Sequence, residues 1–196
     1  MDRDTLNTYD ANARDYAADW EDEQSAPGDL HAIVREHFRP GLTIDVGCGS
    51  GRDTAWLVGN GYDAFGLDGS QGLIAEARRR HPDIRFERDT LPRLVSLQSG
   101  VFTNVLCETV IMHLGTETIA DAVGRLGALL APGGTLYLSW RVTDGADVRD
   151  KAGRLYSSFP ASLVTGALPG LALLLDEEVT SLSSGKIIHR VVARRR

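Results

Sequence analysis

Residues 45–51 read Asp45-Val46-Gly47-Cys48-Gly49-Ser50-Gly51, between an apolar β-rich stretch and a helical pattern. Glycines at alternate positions let the backbone approach a ligand closely and accept positive φ. Ser50 and Asp53 have the spacing of a reciprocal cap on the helix that follows. Free N–H groups at such a helix start favour a negatively charged ligand group. The glycine spacing sets Arg52 where a nicotinamide-binding fingerprint needs its third glycine. No Gly-Lys-Ser/Thr follows, so the loop that cradles triphosphates is missing too. Asp68 lies 23 residues after Asp45, at the end of the next apolar run. A carboxylate there is placed to accept both hydroxyls of a ribose. Ser70 can cap the next helix, which leaves Asp68 for a ligand.

These residues need strand ends and helix starts to hold them. Runs at 42–46, 62–67, 84–87, 101–107 and 135–142 read as strands, and 55–58, 70–80 and 116–130 carry helical patterns. In the last of these helices Ile119, Val123, Leu126 and Leu130 share one face, and Pro132-Gly133-Gly134 stops it. Such alternation predicts a doubly wound α/β fold, a mostly parallel sheet with helices on both faces. Residues 171–180 and 186–193 read as a C-terminal antiparallel hairpin around Ser181-Leu182-Ser183-Ser184-Gly185, at one edge of the sheet. Residues 1–38 form a helical flap, with Asp29 as cap of a helix whose Leu30, Ile33, Val34 and Phe38 face inward. Residues 39–196 make one compact unit.

Residues 43–57 resemble motif I of the class I S-adenosylmethionine-dependent methyltransferases. Three further segments follow in that family's order: Gly66-Leu67-Asp68-Gly69-Ser70, Phe86-Glu87-Arg88-Asp89-Thr90-Leu91-Pro92 and Leu130-Ala131-Pro132-Gly133-Gly134. The opening Tyr9-Asp10-Ala11-Asn12-Ala13-Arg14-Asp15-Tyr16 is similar to the leading helix of small-molecule members of the ubiquinone/menaquinone methyltransferase type. The likeness covers roughly residues 9–142. It implies a seven-stranded Rossmann-like methyltransferase fold, S-adenosylmethionine as cofactor and S-adenosylhomocysteine as product. It also implies that Gly47, Cys48, Gly49 and Gly69 surround the cofactor and that Asp68 holds its ribose. Asp89 would accept from the adenine amino group, with Thr90 and Leu91 alongside, or else it caps a loop. The Cys107 backbone would touch the nucleoside or methionine part, its thiol being a small buried filler. Two further residues keep two readings each. Asp45 stands near the cofactor's ammonium group or bonds the glycine turn. Tyr16 closes over the methionine end or packs with Tyr9 and Trp20 on a helical stripe.

Methyl transfer is an in-line displacement in which the protein aligns the nucleophile at about 3–3.5 Å and excludes water. In an open α/β sheet the acceptor pocket lies beyond the ends of the fourth and fifth strands. The side chains there are Glu108, His113, Trp140 and Arg141, with Arg154 and Tyr156 from the insert that follows. His113 is the candidate general base, or else a structural histidine. Glu108 and Tyr156 are candidate acceptor contacts. Arg141 recognises an acceptor carboxylate or phosphate, or forms a surface ion pair. There is no Asn/Asp-Pro-Pro-Tyr and no Pro-Cys, the motifs of base-modifying enzymes, and no acidic metal cluster is expected.

Composition narrows the partners. The 196 residues are 42% hydrophobic and 24% charged, with a formal net charge of −6. Residues 1–23 hold eight acids against Arg3 and Arg14, which disfavours nucleic acid. The basic tail Arg194-Arg195-Arg196 is too short to reverse that. No apolar run reaches the ~18 residues of a membrane span, and no apolar signal core opens the chain. Two cysteines do not make a disulfide framework. The expectation is a cytoplasmic monomer or homodimer acting on a small molecule. A non-catalytic S-adenosylmethionine-binding sensor or scaffold would share every binding residue and is the alternative.

Overall fold

The computed structural model describes residues 1–143 and 145–196. A helical segment leads: α1 (Arg3–Ala11), α2 (Ala13–Ala18), a π-helical turn over Asp19–Glu23, and α3 (Gly28–His37). The alternating part then runs β1 (Leu42–Val46), α4 (Arg52–Gly59), β2 (Asp63–Asp68), α5 (Gln71–Arg80), β3 (Phe86–Arg88), β4 (Phe102–Cys107), α6 (Thr116–Leu129) and β5 (Leu130–Arg141). A two-stranded ribbon of β6 (Val148–Arg149) and β7 (Leu155–Tyr156) follows, then α7 (Ala161–Gly166), β8 (Leu171–Thr180) and β9 (Ile187–Arg195).

The main sheet has seven strands in the order β3-β2-β1-β4-β5-β9-β8. Strands β1 to β5 are parallel, while β9 runs antiparallel to β5 and β8 antiparallel to β9. Ile44, Val46, Leu67, Val105 and Leu106 are buried because helices cover both faces, which is why these strands read as continuous apolar runs. One face packs Leu30, Ile33, Val34 and Phe38 of the α3 segment and Leu57 of α4 on Leu106, Tyr137 and Val192. The other receives α6, whose Ile119, Val123, Leu126 and Leu129 are fully buried at helical spacing. Each such side chain contributes about 1.5–3 kcal/mol of burial. The chain winds outward from β1 through β2 to β3, then returns to lay β4 on the opposite side of β1. That reversal opens a crevice at the carboxyl ends of β1 and β4.

The predicted elements agree with these to within a few residues, with one exception. Helix α6 ends at Leu129 and β5 starts at Leu130, so Leu130 and Pro132-Gly133-Gly134 belong to the strand and do not end the helix. Two predicted caps also fail. Ser70 caps α5, its hydroxyl accepting from Leu73 N at 3.1 Å. Asp29 lies in the first turn of α3, which starts one residue earlier behind Pro27, so it is not the cap. The reciprocal cap of Ser50 and Asp53 does not form either. Gly51 occupies the cap position at φ 92°, Ser50 Oγ is buried without a partner, and Asp53 pairs with Arg52. The left-handed turn at Gly51 delivers the chain into α4 without a side-chain acceptor.

Candidate functional site

A cavity of about 440 Å³ opens at the carboxyl ends of the strands, within the range of small-molecule sites. Its floor is the turn Gly47-Cys48-Gly49-Ser50. Gly47 and Gly49 stand at φ 78° and 56°, where only glycine is unstrained. A Cβ on Gly47 would meet Val110 at 2.2 Å, and one on Gly49 the Trp20 ring at 2.8 Å. Sequence spacing alone set this turn.

Asp68 closes one side. Its Oδ2 accepts from Gly49 N at 3.0 Å and its Oδ1 from Ser70 N at 2.8 Å. Burial raises its carboxyl pKa, and those backbone N–H groups oppose the rise. Asp45 is buried behind the turn and does not line the cavity. Thr54 Oγ1 donates to it at 2.6 Å, tying β1 to α4, and burial with the nearby Asp53 charge pushes it up to about 8. Glu108 lines the wall at the end of β4, receives a hydrogen bond from Ser139 Oγ, and is pushed by burial to about 7. Burial raises all three carboxyl pKa values, and of the three Asp68 and Glu108 reach the cavity.

The flap forms the roof. Tyr9, Tyr16 and Trp20 do share a stripe, with Tyr16 stacked on Trp20 at 5.4 Å and Tyr9 edge-on to Tyr16 at 5.1 Å, and all three line the cavity. Arg154 lies over the Tyr9, Tyr16 and Tyr156 rings at 4.9–5.7 Å and pairs with Asp150 at 2.7 Å. His113 Nδ1 donates to Leu155 O at 2.5 Å, which fixes the tautomer, since a carbonyl only accepts. His113 Nε2 then accepts from Tyr9 Oη at 3.0 Å, and Arg154 Nη1 donates to Tyr9 at 3.3 Å. Burial pushes His113 down to about 4, so the ring is neutral with both nitrogens engaged.

The structure brings Tyr16, Gly47, Cys48, Gly49, Asp68, Glu108, His113, Arg141 and Tyr156 around one cavity. Cys107 is fully buried beneath it, and Gly69 is covered by Leu6. Asp89, Thr90 and Leu91 lie outside the lining. Asp89 accepts from Thr90 N, Ser96 N and Ser96 Oγ at 2.6–2.7 Å, which caps the loop behind β3, and Leu91 O receives the Met1 ammonium at 3.1 Å. Trp140 faces the opposite side of the sheet, stacked on His189 at 4.6 Å, and is no acceptor contact. Arg52 and Lys186 line the cavity and were not read from the sequence. The signals were there: Arg52 is a cation at a helix start, and Lys186 is one of only two lysines. Among the described residues no cluster of three or more His, Cys, Asp or Glu side chains has the arrangement of a metal site.

Residues 43–134 match the methyltransferase-domain family. The chain is similar to a trans-aconitate 2-methyltransferase of Methylobacterium nodulans, 36% identical over 61% of this chain and 48% of that protein. It is also similar to a ubiquinone biosynthesis O-methyltransferase of Methylococcus capsulatus, 30% identical over 63% of this chain and 57% of that protein. The chain thus spans about half the length of the curated relatives it matches. The fold is shared with a Burkholderia thailandensis 1,6-didemethyltoxoflavin-N1-methyltransferase bound to S-adenosylhomocysteine, at TM-score 0.76 and 23% identity, over 98% of this chain and 87% of that one. A glycine turn, the acid at the second strand end, the strand order and the family match over 43–134 agree: this part of the chain is similar to the class I S-adenosylmethionine-dependent methyltransferases.

Proposed function

We propose that this chain transfers the methyl group of S-adenosylmethionine to a small-molecule acceptor and releases S-adenosylhomocysteine. Asp68 is the observation that carries the reading. Each of its oxygens gives one lone pair to a backbone N–H, from Gly49 or Ser70, and retains another for a ligand hydroxyl. Two adjacent hydroxyls of a ribose match that pattern. The cofactor fits the rest of the site, because its cationic groups complement the carboxyls of Asp68 and Glu108, which line the cavity. Its adenine would lie beside Met1 and Leu6 of the flap, which line the cavity.

When bound, the cofactor supplies a methyl group already activated for displacement, so the chemistry asks for no nucleophile from the protein. The residues of the chain then align and exclude water. Tyr9, Tyr16 and Trp20 roof the cavity against solvent. His113 and Arg154 hold the Tyr9 hydroxyl between them, which makes His113 a positioning residue rather than a base. Glu108, Arg141 and Tyr156 face the acceptor. A cytoplasmic setting, as monomer or homodimer, belongs to the same proposal. Both cysteines are free and buried, and no helix of the described residues is long and apolar enough to cross a membrane.

Calorimetry with S-adenosylmethionine, S-adenosylhomocysteine and NAD tests the reading, followed by transfer of labelled methyl to a metabolite panel. Micromolar binding of the two sulfur nucleosides and none of NAD is the expected result. Binding of NAD alone overturns it.

A further inference from the structure

Four cationic side chains line the cavity: Arg52, Arg141, Arg154 and Lys186. Two of them are neutralised within the protein. Arg52 holds Asp53 through Nε and Nη2 at 3.0–3.1 Å, and its Nη1 donates to Trp20 O. Arg154 holds Asp150 through Nε and Nη2 at 2.7 Å, and its Nη1 donates to Tyr9. Among the described residues, neither Arg141 nor Lys186 has a carboxylate within 4.0 Å. Arg141 is half-buried, its guanidinium 4.9 Å over the Tyr156 ring. A partly desolvated guanidinium without a counter-charge is a poor arrangement unless a ligand completes it.

Strand register puts these groups together. On β5, Tyr137, Ser139 and Arg141 alternate onto the face that α3 and α4 cover. Arg141 stands opposite Ile188 of β9, and Lys186 is two residues before Ile188, hence on the same face. Lys186, Ser181, Ser183 and Ser184 of the hairpin loop therefore line the cavity from the β9–β8 end of the sheet. Asp68 grips the opposite wall.

We infer that the methyl acceptor is an organic acid whose carboxylate docks on the Arg141 guanidinium, with Lys186 at the same wall. The inference rests on the methyltransferase reading, and it names the acceptor class for that site. A planar carboxylate matches the guanidinium fork, and Glu108 on the same wall disfavours a phosphate dianion. The cofactor also carries a carboxylate, so its affinity is read separately from that of the acceptor.

The test is calorimetry on the full chain saturated with S-adenosylhomocysteine. The probes are trans-aconitate, glutarate and 4-hydroxybenzoate, each beside its amide, and phenyl phosphate. At least one acid should bind about tenfold or more tightly than its amide. Arg141→Gln should abolish that preference while leaving S-adenosylhomocysteine affinity within about twofold, and Arg141→Lys should restore part of it. The inference falls if acid and amide bind alike, if no acid binds, or if only phenyl phosphate binds. It falls as well if Arg141→Gln loses affinity for S-adenosylhomocysteine, since Arg141 would then hold the cofactor's own carboxylate. Should the wild-type chain fail to bind S-adenosylhomocysteine, the methyltransferase reading fails first and takes the inference with it.

Discussion

Asp68 and Asp89 are both acids just past a strand, yet they serve different ends. Asp68 was legible as a ligand-facing acid because Ser70 already supplies the helix cap, and the structure keeps that division. Asp89 had a loop cap as its second reading, and the structure forms that cap, although its partner Ser96, seven residues away, is marked by no local spacing. Asp68→Asn keeps the backbone acceptor on one side and removes the charge. It should weaken S-adenosylhomocysteine binding by at least about tenfold in calorimetry, with the far-ultraviolet circular dichroism unchanged. His113 illustrates a second limit of sequence reading. Its type suggested a proton acceptor, but which nitrogen is open depends on Leu155 and Tyr9, both remote in sequence. Tyr9→Phe leaves the buried Nε2 without a donor and should cost about 1–3 kcal/mol of stability in urea denaturation. A fully retained midpoint would show that the contact is not formed.

At the scale of elements, the flap is clamped onto α5 at both ends. Asp10 Oδ1 accepts from Ser70 Oγ and Gly72 N at the start of that helix. Arg80 and His81 meet Asp22 and Glu21 at its end, where basic side chains also complement the helix dipole. Arg149 of the ribbon holds Asp2 at 2.8 Å, and Leu155 N donates to Thr5 Oγ1. The helices of the flap were readable from their stripes. The ribbon was not, because two-residue strands carry no periodicity. The clamp makes Gly72 an unusual helix position. Alanine favours a helix over glycine by about 1 kcal/mol, but a Cβ here would meet Asp10 O at 2.9 Å and Ala13 Cβ at 3.0 Å. Gly72→Ala should therefore reverse the usual sign. The expected outcome is faster hydrogen exchange over residues 3–24 and weaker cofactor binding, where an unclamped flap would give a stabilised helix and unchanged exchange.

Across the whole molecule, alternation of strand and helix was enough to predict a mostly parallel sheet, but not the reversal that lays β4 beside β1. Closure of the cavity was not readable: its lining runs from Met1 to Ile188, so both ends of the chain meet over the strand tips. The acidic first 23 residues, which read as a segment that disfavours nucleic acid, use Asp2, Glu21 and Asp22 to pair with bases of the body. What remains uncompensated is inside. Asp45 and Glu108 are pushed by burial to about 8 and about 7, so the folded protein keeps protons that the unfolded chain releases. Their contribution is fully present below the ordinary carboxyl range and is lost as pH rises toward those values. His113, held down to about 4, acts in the opposite sense and only on the acid side, below its ordinary 6.5. Between pH 6.5 and 8 the two carboxyls therefore dominate, and the ligand-free protein should lose on the order of 1–2 kcal/mol. Scanning calorimetry at the two pH values should show a falling midpoint that Glu108→Gln makes shallower. S-adenosylmethionine, carrying positive charge, should stabilise the protein more at pH 8 than at pH 6.5. A midpoint independent of pH, with or without the ligand, would mean that these carboxyls are ionised and solvated in the folded protein.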